Sequence, residues 1–276
     1  MAVQATQVLH CNLNVVDIEG AAAFYEDALH LTVRMRSESV DGDSTQLGIT
    51  GSTHSIAWFL YDHRGGHLSP AIELVEWRTP ATAGVAYEDP TAPGMQSLIF
   101  TVPSVGDAVS RIVDAGGTTL DSDAVDRDGV RIELAEDLSV GSPTFTGVRL
   151  NCVDLETTEA WYRALGWEAV GPRSGTMQRV ALGAHPFELH LTEWPNESGN
   201  ARAHADANAR GLFRMALAVD DVRAACETLQ RGGPVQVGEP TYVPLPGTPL
   251  GGLWVSFFRD PNGVTVELVE RVMRAR

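Results

Sequence analysis

Lysine is absent from this chain of 276 residues, and all 20 of its basic residues are arginine. A Schiff-base lysine, a P-loop lysine and a pyridoxal-anchoring lysine are therefore all excluded. Cysteine is scarce: Cys11, Cys152 and Cys226 lie far apart inside apolar periodic segments. Buried free thiols are expected from that placement, in place of a disulfide framework or a CxxC metal site, and a reducing compartment fits. The N-terminal residues carry no basic leader, and no apolar stretch approaches the length of a membrane span, so the expectation is a cytoplasmic protein with no membrane partner. Positive charge is also in deficit, with 36 acidic residues against 20 basic and a net charge of -16. Such a surface repels phosphate backbones, which argues against a nucleic-acid partner. Neither a nucleophile-elbow sequence nor a glycine-rich phosphate loop occurs. What is present is ordinary for a globular protein, 43% hydrophobic and 20% charged residues, at a length that accommodates two domains.

The chain repeats itself. LNVVDIEGAAAFYEDALHLTV (13–33) aligns without a gap on LNCVDLETTEAWYRALGWEAV (150–170). In each, an alternating strand pattern ends at an aspartate, Asp17 or Asp154, that can cap a helix carrying Phe24-Tyr25 or Trp161-Tyr162. A second pair, SLIFTVPSVGDAVSRIVDAGG (97–117) and RMALAVDDVRAACETLQRGG (214–233), again reads as strand, helix and terminating double glycine. After each helix come short β-rich runs that close on a strand containing Glu-Leu, with Glu73, Glu133, Glu188 and Glu267 as the four glutamates. The grammar predicts an α+β protein of four βαβββ modules, roughly 5–90, 91–143, 144–205 and 206–276, the second short by one or two strands. Extra length falls in 63–70, 193–211 and 240–252, where lids or binding loops can sit.

His10 through Tyr25, and FFRDPNGVTVELVE at 257–270, carry a resemblance to the glyoxalase, bleomycin-resistance and extradiol-dioxygenase superfamily. It extends over nearly the whole chain. The resemblance implies two cup-shaped domains, 1–143 from modules one and two and 144–276 from modules three and four, each wrapping one site. It also implies that ligands come from the first and last strand of each module. Strand alternation agrees for the first strand, where Cys11, Leu13 and Val15 pack on the helix and His10, Asn12 and Asn14 point into the cup.

His10 stands seven residues before Asp17, and the same count from Pro103 reaches Gln96. The resemblance thus puts His10, Glu73, Gln96 and Glu133 around a divalent ion (Zn, Ni, Mn or Fe) in the first domain. A substrate with adjacent oxygens would chelate that ion, while Glu133 or Glu73 moves a proton. In the second domain the count from Asp154 gives Gly147 and from Asp220 gives Phe213, so no metal is expected there. Glu188, Glu267, His190, Arg149, Asn151, Phe213 and Met215 would line a cup for a small organic ligand, and in the first domain Asn12 and Arg131 would touch substrate. The loss of ligands at 147 and 213 argues against an ordinary ring-cleaving dioxygenase.

Two functions follow as expectations. One is a metal-dependent lyase or isomerase resembling glyoxalase. The other is a metal-free protein resembling bleomycin-resistance proteins, which holds an apolar aromatic molecule against Trp58, Trp254 or Phe213; a dioxygenase with an atypical site stands behind both. In each case the partner is a small molecule, and the chain acts as a monomer or homodimer.

Overall fold

The structure, a computed structural model, describes residues 4–86, 89, 91–120, 123–183, 186–194, 203, 206–231, 235–245 and 250–273. The described residues form an α+β fold of four βαβββ modules. The first comprises β1 (Ala5–Asn14), α1 (Ile18–Leu29), β2 (Thr32–Asp43), β3 (Ser52–Tyr61) and β4 (Ala71–Thr79). The second is β5 (Gly94–Val102), α2 (Val105–Asp114), β6 (Thr118–Leu120), β7 (Asp123–Val125) and β8 (Arg131–Glu136). It has its full set of strands after all. β6 and β7 are three residues each, too short to register as alternating runs. The third is β9 (Thr144–Cys152), α3 (Leu155–Ala164), β10 (Trp167–Ser174), β11 (Met177–Leu182) and β12 (Glu188–Glu193), and the fourth is β13 (Gly211–Val219), α4 (Val222–Arg231), β14 (Val235–Pro244), β15 (Leu250–Arg259) and β16 (Thr265–Met273). Of the loop expected at 193–211, residues 195–202 and 204–205 lie outside the described residues; the one expected at 240–252 is mostly strand, with 240–244 in β14 and 250–252 in β15, and 246–249 lie outside the described residues.

Every helix starts in the same way. The side chains of Asp17, Ser104, Asp154 and Asp221 accept a backbone N–H from the first turn of α1, α2, α3 and α4 respectively. A glutamate on the closing strand then reaches the first helical N–H: Glu76 to Ile18, Glu136 to Val105, Glu193 to Leu155 and Glu270 to Val222. Each helix is thereby pinned to its own sheet at the end where orphan donors and the positive dipole end coincide. Glu76 is buried, so Glu76→Ala strands the Ile18 N–H. It is expected to cost about 1–3 kcal/mol in urea denaturation, and a loss within error of zero would show that the contact contributes nothing.

The helices cover one face of two eight-stranded sheets. The core on that face takes in Cys11, Leu13, Phe24, Tyr25, Ile72, Leu98, Phe100, Leu150, Tyr162, Trp167, Leu217 and Leu268. The hydroxyl of Tyr25 on α1 donates to Asp126 between β7 and β8 at 2.7 Å. Tyr162 on α3 makes the equivalent bond to Asp260 between β15 and β16 at 3.2 Å. On the helix side, then, module one is tied to module two and module three to module four.

The sheets join the modules in another way. One sheet runs β14-β15-β16-β13-β1-β4-β3-β2, and the other β10-β11-β12-β9-β5-β8-β7-β6. Module one shares its sheet with module four, and module two with module three. The expected cups, one from modules one and two and one from modules three and four, are not what forms. Residues 137–143 give β9 only a short link after β8, and β9 pairs antiparallel with β5. The link 80–93 between β4 and β5 is longer, which lets module two leave the sheet of module one. β1 is left to pair with β13 from the far end of the chain.

Candidate functional site

Each sheet has a concave face turned away from the helices. In the first cup, from modules one and four, β1 contributes His10 and Asn12, β4 Glu73, β13 Arg214, and β16 Glu267. The closing glutamates lie in register with neighbouring first strands, Asn12 beside Glu73 and Ala216 beside Glu267. Arg214 bridges both carboxylates, with Nη2 at 2.9 and 2.7 Å from the Glu73 oxygens and Nε at 3.0 Å from Glu267 Oε2. His10 Nε2 stands 3.3 Å from Glu73 and 3.6 Å from Glu267, with its ring edge-on to Phe59 at 5.4 Å. Burial pushes the Glu267 carboxyl up, but Arg214 and His10 outweigh that and hold it below the usual carboxylate range. Arg214 is pushed up overall, because its two carboxylates outweigh its own burial.

Apolar side chains surround this group. Val75, Trp77 and Phe213 pack with Ile49 and Ala207, and Val255, Phe257 and Val269 form a second patch. A short 3-10 turn, Thr45–Leu47, crosses the mouth. Its Leu47 packs against both patches, and Gln46 Nε2 donates to the Glu239 carbonyl at 3.0 Å and Thr241 Oγ1 at 2.6 Å on β14. The turn thus ties together the two outer edges of the sheet.

The second cup, from modules two and three, is a more open mosaic of charge. Side chains of Arg149 and Glu133 are 27% and 20% exposed, against 13% and 5% for Arg214 and Glu73. Arg149 grips Glu133 with Nε and Nη2, and its Nη1 donates to Thr192 Oγ1 at 2.9 Å. Ser97 donates to the same glutamate. Burial raises the Glu133 carboxyl, yet the bonds from Arg149 and Ser97 hold it below its ordinary value. His190 approaches Glu188 at 3.3 Å, and burial followed by the charge of Arg149 pushes its pKa down. Arg179 also pairs with Glu188 at 3.3 Å.

The expected metal quartet is split between the two cups. His10 and Glu73 belong to the first sheet, Gln96 and Glu133 to the second, so these four cannot share an ion. Gln96 instead donates to the Ala92 carbonyl at 2.7 Å, and Asn151 to the same carbonyl at 3.4 Å. Both hold the linker between modules one and two. Arg131 faces Asp123 at 3.9 Å, and Asn12 donates to the Glu73 carbonyl at 3.4 Å. Phe213 packs among apolar neighbours in the first cup, with Trp77. Trp58 and Trp254 lie on the helix side, beneath the guanidiniums of Arg36 at 4.2 Å and Arg223 at 4.6 Å, and offer no stacking surface to either cup. The 63–70 loop is fastened rather than free: Arg64 pairs with Asp62 at 2.7 Å and donates to the Phe145 carbonyl at 2.7 Å.

Arg214 and Ser97 are the residues that sequence reasoning missed, and a signal for them exists. Counting seven back from the residues that cap the helices, Asp17, Ser104, Asp154 and Asp221, reaches His10, Ser97, Gly147 and Arg214. Counting from Pro103 and Asp220 starts one residue early, which exchanged Ser97 for Gln96 and Arg214 for Phe213. The closing position slips in the same way. Aligning the modules on the helix-capping glutamates 76, 136, 193 and 270 makes His190, not Glu188, the counterpart of Glu73, Glu133 and Glu267. Gly147 has a steric reason to be glycine, since a Cβ there would lie 2.5 Å from the Glu188 carbonyl oxygen.

A divalent ion does not fit the first cup as its residues stand. The guanidinium of Arg214 already occupies the space between the two carboxylates, where it adds positive charge and no electron pair, leaving His10, Glu73 and Glu267 as donors around a cation of the protein's own. In the second cup, Ser97, Glu133 and His190 meet Gly147, which offers no side-chain donor, and Glu133 is claimed by Arg149. Among the described residues no cluster of three or more His, Cys, Asp or Glu side chains is arranged to hold a metal. Among those residues, too, no helix is long and apolar enough to cross a membrane.

Comparison with known proteins agrees with this architecture. A probable lactoylglutathione lyase from Vibrio cholerae is 32% identical over 74 residues, covering 27% of this chain and 43% of that protein; the match thus spans less than half of the relative's length. Glyoxalase I from Zea mays superposes with a TM-score of 0.71 at 18% identity, over 96% of this chain and 92% of that one. A putative dioxygenase from Bacillus subtilis superposes with a TM-score of 0.63 at 16% identity, over 98% and 86%. At these identities the structural likeness speaks for the fold alone. The model of the Glyoxalase/Bleomycin resistance protein/Dioxygenase superfamily matches residues 7–134 and again 144–268, and the chain belongs to that superfamily.

Proposed function

We propose that this protein binds a small organic molecule in its first cup without a resident metal ion, as a guanidinium-centred member of its superfamily. The observation that carries this reading is Arg214, which stands in module four where His10 stands in module one and spans Glu73 and Glu267. Apolar walls around a few convergent polar groups suit a small ligand. His10, Glu73, Arg214 and Glu267 are the residues proposed to contact it, with Asn12 and Phe213 beside them. In the second cup Arg149, Glu133 and His190 are the candidates for a second, more polar site.

Metal analysis of untagged chain tests the proposal. Wild type is expected to hold substoichiometric Zn, Ni, Mn and Fe, while Arg214→His, which exchanges a cation for an imidazole donor between the same carboxylates, is expected to gain a bound divalent ion. A stoichiometric ion in wild type would sink the reading.

A second reading, a lyase of the lactoylglutathione type, is favoured by the Vibrio cholerae relative. Turnover that forms or cleaves lactoylglutathione, abolished by His10→Ala, would move the assignment to it. We further infer that 1–143 and 144–276 are the duplicated units, a division supported by the Tyr25–Asp126 and Tyr162–Asp260 bonds. A cytoplasmic, monomeric protein is our reading too, supported by three buried free thiols and by both sheets being completed within one chain.

A further inference from the structure

Charge is unbalanced in the first cup. Glu73 and Glu267 are two buried carboxylates facing one guanidinium, so these three side chains together carry one excess negative charge. A buried charge of this kind demands a counter-ion. Beside it, Asn12 is fully buried on the cup face, and its Oδ1 accepts no hydrogen bond among the described residues; His10 Nε2, close as it is to both carboxylates, has no hydrogen-bond partner of good geometry either. What the group lacks is a donor and a positive charge. The nearby walls are aromatic, with Phe59 against His10 and Phe257 in an apolar patch of the cup, a surface that favours an apolar body and tolerates a cation against ring faces; the Phe213 ring already faces the Arg259 guanidinium at 5.7 Å.

We propose, resting on the metal-free reading above, that the ligand of the first cup is a small organic ammonium, a primary amine carried on an aromatic or aliphatic body. Its N–H donors match Asn12 Oδ1 and the carboxylate lone pairs that Arg214 leaves unused, and its charge balances the group. An anionic ligand would add a third negative charge beside Glu73 and Glu267.

Isothermal titration calorimetry on the full chain with 2-phenylethylammonium, 2-phenylethanol and 3-phenylpropionate separates the ligand classes. The ammonium is expected to bind about tenfold or more tightly than the alcohol, the difference one charge-assisted hydrogen bond supplies, and the carboxylate is expected not to bind. Glu267→Gln should remove that preference, and Asn12→Leu, which changes no charge, provides the same test should the first variant lose its circular dichroism spectrum. Glu19→Gln on the exposed face of α1 should leave binding unchanged. Binding of the carboxylate as tight as that of the ammonium, no binding by any of the three, or an affinity indifferent to both first-cup variants would overturn the ammonium assignment. If the alcohol binds as well as the ammonium and Asn12→Leu abolishes both, the ligand class fails while the metal-free binding reading stands. A stoichiometric metal in untagged protein sinks that underlying reading instead.

Discussion

Arg214→Ala is expected to lower the unfolding free energy by about 3–5 kcal/mol, the cost of leaving buried charge without its partner. Arg214 makes three hydrogen bonds of 2.7 to 3.0 Å to Glu73 and Glu267, and all three side chains are at most 13% exposed. Removing the guanidinium leaves two carboxylates facing each other with His10 as the nearest compensating group. The triad itself is a different matter, because desolvating three charges offsets most of what their attraction returns. The triple variant Arg214→Met, Glu73→Gln, Glu267→Gln should therefore recover most of the loss. Urea denaturation of the three proteins decides it. A single variant within about 1 kcal/mol of wild type, the range of an exposed ion pair, would show that water reaches the group freely and that Arg214 is no structural surrogate for a cation.

The second large effect concerns pH. Asp126 and Asp260 sit at equivalent places in modules two and four, and in each case burial pushes the carboxyl up to about 6, against bonds from tyrosine and backbone N–H groups that pull the other way. A folded-state value above the unfolded value near 3.9 means that the fold favours the protonated acid. Each group's contribution is thus fully present below about pH 4 and lost as pH rises to about 6, a change of about 3 kcal/mol per site. Glu133, Glu267 and Asp62, whose values are depressed, act in the opposite sense and lose their contribution in acid. The difference between wild type and Asp126→Asn cancels those background terms. An amide keeps the acceptor for the Val130 and Asp128 N–H groups without the burial cost of a charge. Relative to wild type, Asp126→Asn should therefore gain up to about 3 kcal/mol between pH 4 and pH 7, and Asp260→Asn likewise. A difference that does not change with pH would show that Asp126 is already ionised at little cost in the folded protein.

Much of the architecture was legible in the residues. The gapless match of 13–33 with 150–170, the aspartates ahead of the helices and the closing Glu-Leu strands are local features, set by strand alternation and helix capping, and the four modules they announced are the four that form. The cup-facing side of β1 was legible for the same reason, since a side-chain period of two needs no knowledge of distant strands. Asp260 was visible only as a member of the FFRDPNGVTVELVE segment and Asp126 stood in no motif singled out from the sequence; their burial depends on Tyr25 and Tyr162 arriving from another module.

Local pattern alone determined the module, its helix caps and the face each first-strand residue presents, because these depend on neighbours a few residues apart. Which modules share a cup was decided only by the tertiary structure. The free edge of a first strand can pair with any other module's first strand, and the choice of β13 for β1 and β9 for β5 follows from linker reach and from helix packing on the opposite face. That choice separated His10 from Glu133, brought Arg214 to Glu73 across 141 positions of chain, and put a guanidinium beside His10 and Glu73, where the family resemblance had implied a metal ion.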